Sequence, residues 1–435
     1  MEKSINKYFD ICIIGGGAAG MVAGIAAARK NPSLSVVIVE KMESTGKKVA
    51  AAGNGRCNLS NVKSPDWEKT SAFFSSLGLI TRIDEEGRVY PHSEDGRDVA
   101  ACLFNEAESL RIKIITRRQV SKIDRTEDAP KEAHDSERNA EDCPECDFTI
   151  TASFNKPKAH HAGPEDADIT ISAKKVLIAT GGKSKPKLGT SGEGFTLAKS
   201  LGHSIRRLRP VLTGVETEED IKALGLSGIR EKCAVSLYKN ENMVFSDRGE
   251  IQFADYGISG IIVFDMTRFM DLEDGDKDGF KSYHIEIDFL PDFDEHTIRQ
   301  MLEERISATK KKAARKIGST ERVEILPDKV NMLCSWVKAP IAKVILENSN
   351  TEDEIINSLK NFDLHPTNLK GWDMAQVTRG GIPLGEIDEA TGESKLVKGL
   401  YFAGEIIDED FQCGGFNLQH AWTTGMRAGE AMSGK

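Results

Sequence analysis

The feature that most constrains this chain is a glycine turn close to its start. Tyr8–Ile14 reads YFDICII, a buried-strand pattern, and Gly15, Gly17 and Gly20 follow at G-x-G-x-x-G spacing before the small, alanine-rich run AAGMVAGIAAARK. Ser35–Glu40 (SVVIVE) is a second β-branched run, so strand, turn, helix and strand occupy about 30 residues, the span of a βαβ unit. The three glycines differ in what they permit. The first allows the turn, the second lets a pyrophosphate approach backbone N–H groups, and the third lets helix and strand pack closely. Glu40 stands twenty residues after Gly20, at the end of the second strand. A carboxylate there accepts hydrogen bonds from the adenosine ribose hydroxyls and repels a 2′-phosphate, which selects FAD or NAD over NADP. Ala18 and Ala19 in the turn and Lys41 beside the acid join the candidate cofactor contacts.

A distant segment separates FAD from NAD. GLYFAG, a buried strand ending at Gly404, leads directly into Glu405, and Gly414 and Gly415 then open a helix at Phe416, Asn417 and Leu418. FAD is long, so its ribityl and flavin ends need groups from a second strand. Glu405 is suited to a ribityl hydroxyl. The N–H groups and positive dipole end of the late helix suit the flavin N1 and C2 carbonyl, where negative charge accumulates on reduction. Lys175–Thr180 (KVLIAT) is a further buried strand; Thr180, Gly181 and Gly182 at its end, with Val120 upstream, complete this set.

Composition narrows the remaining classes. Length 435 accommodates about three domains. With 58 basic and 68 acidic side chains the net charge is -10, which disfavours indiscriminate coating of nucleic acid or anionic lipid. Eight cysteines are too sparse for a disulfide framework, and no export signal is evident, which favours a reducing cytoplasm. The apolar run Ile11–Ala28 is interrupted by five glycines and is no membrane span.

Along the chain, residues 124–168 turn strongly polar around the apolar island FTITASF. Short turn-punctuated strands fill about 206–288, and a helical pattern follows from Glu295 to Asn361. The expected fold is α/β, with a discontinuous Rossmann-like FAD domain (1–204 and 366–435), an inserted β-rich domain or barrel (205–293) and a helical subdomain (294–365). Cys143-Pro-Glu-Cys146 with His160 and His161 has four zinc-type donors. C-x-x-C occurs once, however, and the histidines are adjacent instead of three to five apart, so no metal is expected.

The segments GGGAAG, GKKVAAAGNGRCNLSN (46–61), EEGRVYPHSEDG (85–96), VLIATGGKSKPKLGTSGEGFTLAKSLGH (176–203), GEIQFADYGISG (249–260), VTRGGIPLGEID (377–388) and GLYFAGEIIDEDFQCGGFNLQHAWTTG (399–425) resemble those of the YhiN/BaiN-like flavoproteins, also described as aminoacetone-oxidase-like FAD enzymes. The resemblance spans nearly the whole chain and implies a two-dinucleotide-binding-type FAD domain assembled from both chain ends. It also implies that Arg56, Cys57 and Asn58 contact flavin or pyrophosphate, with Lys48, Asn54 and Gly55 as neighbours. The polar stretch around Cys143–His161 looks expanded relative to the family pattern.

No second G-x-G-x-x-G with a suitably spaced acid follows, so a dedicated NAD(P)H domain is absent: either NADH or NADPH visits the flavin as a transient electron donor, the expectation here, or the substrate itself supplies the electrons and oxygen removes them. The resemblance implies reduction of a C=C bond conjugated to a carbonyl, in a steroid-like enone or a uracil of RNA. Such a step needs a proton donor at the α carbon and a group polarising the carbonyl. Cys413 and Tyr256 are candidates for the first role and Arg379 for the second. Oxidation of a small amine with release of hydrogen peroxide is the alternative within the family. A flavin-stabilised RNA-binding protein is a third reading, motivated by Lys310, Lys311, Lys312, Arg315 and Lys316 with Arg206, Arg207 and Arg209.

Overall fold

The computed structural model describes residues 7–125, 147–155, 167–272, 277–316 and 332–434. It divides into two compact units, Met1–Pro210 with Gln376–Lys435, and Val211–Ala375.

The first unit is built on a seven-stranded sheet, in which Lys113–Ile115, Val36–Val39, Lys7–Ile14 and Ile169–Ile178 are parallel neighbours. Strands with this continuous apolar character are buried on both faces, as parallel sheets require. Ile11, Ile13, Val36 and Ile38 face one core with Met21, Val22 and Ile25 of the helix Ala18–Lys30. Cys12, Ile14, Val37 and Val39 face the other with Phe148, Ile150 and Phe402.

Strand Ile169–Ile178 is the centre of the topology. One edge pairs with the first strand throughout. The other edge is shared: its beginning pairs antiparallel with Phe148–Phe154, and Val176–Ile178 pairs parallel with Leu400–Phe402. The late strand thus enters the sheet made by the early chain, and both chain ends close on one unit. The apolar island Phe148–Phe154 is a strand, with Arg118–Arg125 as its antiparallel partner. Because Lys7–Ile14, Val36–Val39, Ile169–Ile178 and Leu400–Phe402 run parallel, Gly15, Glu40, Thr180 and Gly404 all emerge at the same sheet edge.

The helix Phe416–Met432 lies against Ala18–Lys30 through small residues. A Cβ at Gly425 would lie 2.5 Å from Ala19 O, and one at Gly429 2.2 Å from Ala23 O, so glycine sets this backbone approach.

The second unit has an antiparallel sheet in the order Phe362–Leu364, Tyr283–Asp288, Arg230–Lys239, Asn242–Ala254, Gly257–Ser259, Val215–Thr217, Pro366–Leu369. Its two end strands are consecutive in the chain and separated by His365 alone. Period-2 alternation buries Cys233, Val235 and Leu237 in one core with Ile341, Ile345, Ile355 and Leu359 from the helices Ala339–Glu347 and Glu352–Lys360. The basic run Lys310–Lys316 falls at the C-terminal end of the helix Glu295–Lys316.

Candidate functional site

The glycine turn is shaped by close backbone approaches. Gly15 has φ +105, and a Cβ there would lie 2.5 Å from Ala179 O; a Cβ at Gly20 would lie 2.0 Å from Gly15 O. Gly17 is different, because a Cβ on it would meet nothing within 4 Å. Gly17 is also the N-cap of the helix Ala18–Lys30, and no side chain caps it. The first helical N–H groups, including those of Ala18, Ala19 and Gly20, therefore open onto free space beside a glycine, a fit for a pyrophosphate. Glu40 is buried beside them. Its Oε2 accepts from Gly16 N at 2.7 Å and its Oε1 from Met42 N at 2.7 Å. Burial pushes this carboxyl up, against the pull of those two N–H groups. The two backbone bonds orient the carboxylate and leave each oxygen a further lone pair for a ribose hydroxyl. Lys41 is engaged elsewhere, donating to Glu193 at 2.5 Å and to Ser191 at 2.8 Å. Val120 is buried in its strand opposite Ala152.

The early turn after the helix Lys47–Ala51 meets the start of the late helix. Gly53, Asn54, Gly55 and Cys57 all take left-handed φ, between +54 and +85. For Asn54 and Cys57 that conformation is uncommon, and such clusters mark binding sites. The Asn58 amide spans the junction, donating to Ser60 O at 3.0 Å and accepting from Gly415 N at 3.1 Å. Trp422, fully buried, donates its indole N–H to Leu59 O at 2.8 Å. Gly415 has φ +100, and a Cβ would lie 2.3 Å from Ser60 O. Arg56 is exposed with its guanidinium 5.2 Å from the Tyr90 ring centroid, a cation held at the turn without being neutralised by that ring. Cys57 points the other way: its thiol lies in the apolar core, and burial pushes it up to about 12, so it is a neutral packing group. The Asn417 side chain holds Phe411 N and O at 3.0 and 2.8 Å, which leaves its backbone and that of Phe416 and Leu418 at the helix N-terminus.

Glu405 sits in a network that sequence alone does not reveal. Its Oε2 receives Lys48 Nζ at 2.7 Å; its Oε1 receives Ser184 Oγ at 3.0 Å and Thr378 N at 2.8 Å. Lys48 also donates to Ser184 Oγ at 2.8 Å. Glu405 therefore locks three segments together. Gly182 fits beside it, since a Cβ there would lie 2.3 Å from Thr378 Oγ1. Gly181 has φ +72, and Thr180 lies where a Cβ on Gly194 would strike its hydroxyl.

Residues 406–415 form the loop between the late strand and helix. Asp408 pairs with Arg206 at 3.3 Å and Asp410 with Arg379 at 3.5 Å. Burial, with the neighbouring Asp410, raises the Asp408 carboxyl; burial, with Glu389 and Asp408, raises that of Glu409. Cys413, half-buried, follows in the same loop. His420, one turn into the helix, carries no signal in the sequence. Its Nδ1 faces Glu409 Oε2 at 3.6 Å, its Nε2 is buried with no partner, and burial lowers its pKa to about 4. Only burial distinguishes it, and burial is not legible in the local run NLQHAW.

The first unit thus brings together Gly15–Gly20 with Glu40, Asn58 with Gly415, and Arg379 with Asp410. The open Gly17 cradle and the two glycine-capped helix starts fit a dinucleotide carrying an aromatic ring system. Tyr256 belongs to the second unit, where a Cβ on Gly214 would lie 2.5 Å from its hydroxyl and Lys370 Nζ lies 4.7 Å from its ring centroid. Among the described residues, no group of three His, Cys, Asp or Glu side chains is placed to hold a metal. Cys143, Cys146, His160 and His161 lie outside them. No described helix is long and apolar enough to cross a membrane.

The family described as HI0933-like protein Rossmann domain matches residues 149–431, and that described as Pyridine nucleotide-disulphide oxidoreductase matches residues 9–213. The chain is similar to the 3-dehydro-bile acid delta(4,6)-reductase of Clostridium scindens, at 31% identity over 97% of this chain and 98% of that protein. It is also similar to the ribosomal RNA dihydrouridine synthases of Haemophilus influenzae, at 25% identity over 97% of each chain, and of Escherichia coli, at 24% over 96% of each.

Proposed function

The chain belongs to the HI0933-like, or YhiN/BaiN-like, family of FAD-dependent oxidoreductases, and from that premise we propose that it is an NAD(P)H-dependent reductase of a C=C bond conjugated to a carbonyl. One observation carries the reading: the loop 406–415 joins the Arg379–Asp410 pair, Cys413 and the Gly415 helix start within ten residues. A carbonyl-polarising cation, a proton source and a flavin-facing helix end are the three things this chemistry asks of the protein. The bile acid reductase named above supports the substrate class.

FAD, when bound, supplies a hydride for the carbon β to the carbonyl. The Ala18–Gly20 N–H groups hold its pyrophosphate and Glu40 its adenosine ribose. The Phe416–Leu418 N–H groups and helix dipole stabilise the negative charge that reduction builds on the ring. Arg56 sits at the turn beside that helix start as a cation for the pyrophosphate or ring. Arg379, held by Asp410, polarises the substrate carbonyl. Cys413, in the same loop, delivers the α-carbon proton.

The test is anaerobic mixing of the holoprotein with NADH or NADPH, followed by addition of a steroid-like enone. Bleaching by nicotinamide and recolouring by the enone support the reading. Failure of both nicotinamides, with bleaching by a small amine, overturns it in favour of an amine oxidase.

A second substrate has its own support. The two relatives named as rRNA dihydrouridine synthases point to uracil, whose C5=C6 bond is also conjugated to a carbonyl, and the run Lys310–Lys316 suits phosphate contacts. Dihydrouridine formed in ribosomal RNA, with binding that weakens steeply with salt, selects this substrate.

A further inference from the structure

Cys413 is followed by Gly414 and Gly415, whose φ values are +115 and +100. Glycine accepts such angles and many others at little cost, so local sterics leave the peptide between them free to turn. Its orientation is set by what bonds its two polar groups. Both bonds come from the early chain: the Gly414 carbonyl accepts from Asn61 Nδ2 at 3.1 Å, and the Gly415 N–H donates to the Asn58 side-chain carbonyl at 3.1 Å. On the other flank of Cys413, Asn417 Nδ2 donates to Phe411 O at 2.8 Å and to Gln412 O at 3.2 Å. The backbone is thus fastened by asparagine amides immediately before and immediately after the half-buried thiol.

Asn61 is suited to this anchoring. It is 4% exposed and lies in the short strand Ser60–Asn61, opposite Arg88 of the strand Arg88–Pro91. Its Oδ1 accepts from Lys63 N at 3.0 Å, which fixes the orientation of the amide and leaves Nδ2 as the donor toward Gly414. Asn417 belongs to the helix that the loop leads into, whereas Asn61 stands on a sheet 353 residues before Gly414 and ties the loop to something outside itself. The proton transfer assigned to Cys413 breaks its S–H bond as the α-carbon C–H bond forms, and the thiolate left behind regains a proton from water. Such a transfer needs the donor within reach of one carbon, so a small displacement of the loop is enough to slow it.

We infer that Asn61 is a positioning residue: by holding the Gly414 carbonyl, it keeps Cys413 in place to protonate the α carbon. The inference rests on the reductase reading of this site and extends it to a side chain outside the cofactor contacts named above.

The test uses the full-length holoprotein with Asn61→Leu, which removes the amide, and Asn61→Asp, which keeps the shape and the acceptor for Lys63 N but presents no donor to Gly414. Anaerobic recolouring by a steroid-like enone is expected to slow about tenfold in both, the effect of one positioning hydrogen bond, while bleaching by NADH or NADPH stays within about twofold of wild type. Alkylation by iodoacetamide, read by mass spectrometry, is a measure apart from turnover: Cys413, released from its anchor, should react about tenfold faster relative to the exposed Cys334 of the second unit. A merely structural Asn61 would slow both half-reactions alike and leave that ratio unmoved, and this result overturns the proposal. Unchanged recolouring in a folded Asn61→Asp overturns it as well, and that variant decides if Asn61→Leu does not fold. Cys413→Ala separates the two levels. If it recolours as fast as the wild type, the proton-donor reading of Cys413 fails; if it is slowed and Asn61→Asp is not, the Asn61 assignment alone fails. A wild type that neither bleaches nor recolours removes the reductase reading itself.

Discussion

Two helix starts in the first unit do similar work by different means. The helix Ala18–Lys30 is opened by a turn whose parts lie within a few residues: Gly15 bends the chain, Gly17 leaves the cradle open and Gly20 lets the helix settle on the strand. The helix Phe416–Met432 is opened by Gly415, but its surroundings are borrowed from Asn58, Leu59 and Ser60, more than 350 residues earlier. The first start is a local device. The second exists only when both chain ends have entered the sheet through Leu400–Phe402. A helix start built from one short turn can be written as a motif, whereas one built across the fold depends on everything that brings its halves together.

The comparison is sharpest at its most damaging substitution. Gly20→Ala puts a methyl 2.0 Å from a backbone oxygen with no room to move, and a loss of ~3 kcal/mol or more is expected in urea unfolding, with loss of flavin. Gly17→Ala, in open space, should leave unfolding nearly unchanged while weakening flavin binding. Equal destabilisation by both would break the distinction between packing and cradle glycines.

The late helix should carry a pH signature that the early one lacks. The folded pKa of His420 is about 4 against an ordinary 6.5, so the unfolded chain binds its proton first as pH falls. Stability is complete above about pH 6.5 and declines toward pH 4, by ~3 kcal/mol from this residue. Buried His203 is lowered in the same direction, so the measurement is the difference between wild type and His420→Leu: the variant's stability should fall less steeply across that window. Parallel profiles would remove His420 as the source.

Smaller effects test the borrowed contacts. Lys48→Met leaves Glu405 with Ser184 and Thr378 alone, and a cost of about 1–2 kcal/mol is expected, reduced from that of a fully buried pair because Lys48 is 27% exposed and Glu405 19%. A double-mutant cycle with Glu405→Gln should recover most of it. Asn58→Ala removes the link between Ser60 and Gly415 and should cost about 1 kcal/mol by the same unfolding assay. Arg56→Ala should be the mildest for folding, under about 0.5 kcal/mol, because its side chain is exposed over Tyr90; its effect belongs in flavin affinity.

These residues also mark how far reading the chain can go. Gly15, Gly17, Gly20 and Glu40 were legible because turn chemistry and strand-end position are local. Glu405 was legible as a strand-end acid expected at a ribityl hydroxyl, but not as the centre of a network with Lys48, Ser184 and Thr378, since those partners come from three separate segments. Arg379 stood out in the sequence as a cation, and its pairing with Asp410 is visible only in the fold. The family resemblance implies a cofactor contact for Cys57 along with Arg56 and Asn58; the fold buries its side chain in the apolar core. His420 had no signal, because an imidazole in a helix is ordinary until its surroundings remove water from one nitrogen.

The sequence by itself determined the βαβ unit, its acid, the late strand and helix, and the family to which the chain belongs, because these depend on spacing along the backbone. The tertiary structure decided which groups share hydrogen bonds, which thiol is buried, and which imidazole is taken out of water. Those outcomes depend on desolvation and on contacts between residues hundreds of positions apart, and they arise only when the late strand pairs with Val176–Ile178 and draws the C-terminal helix onto the glycine turn.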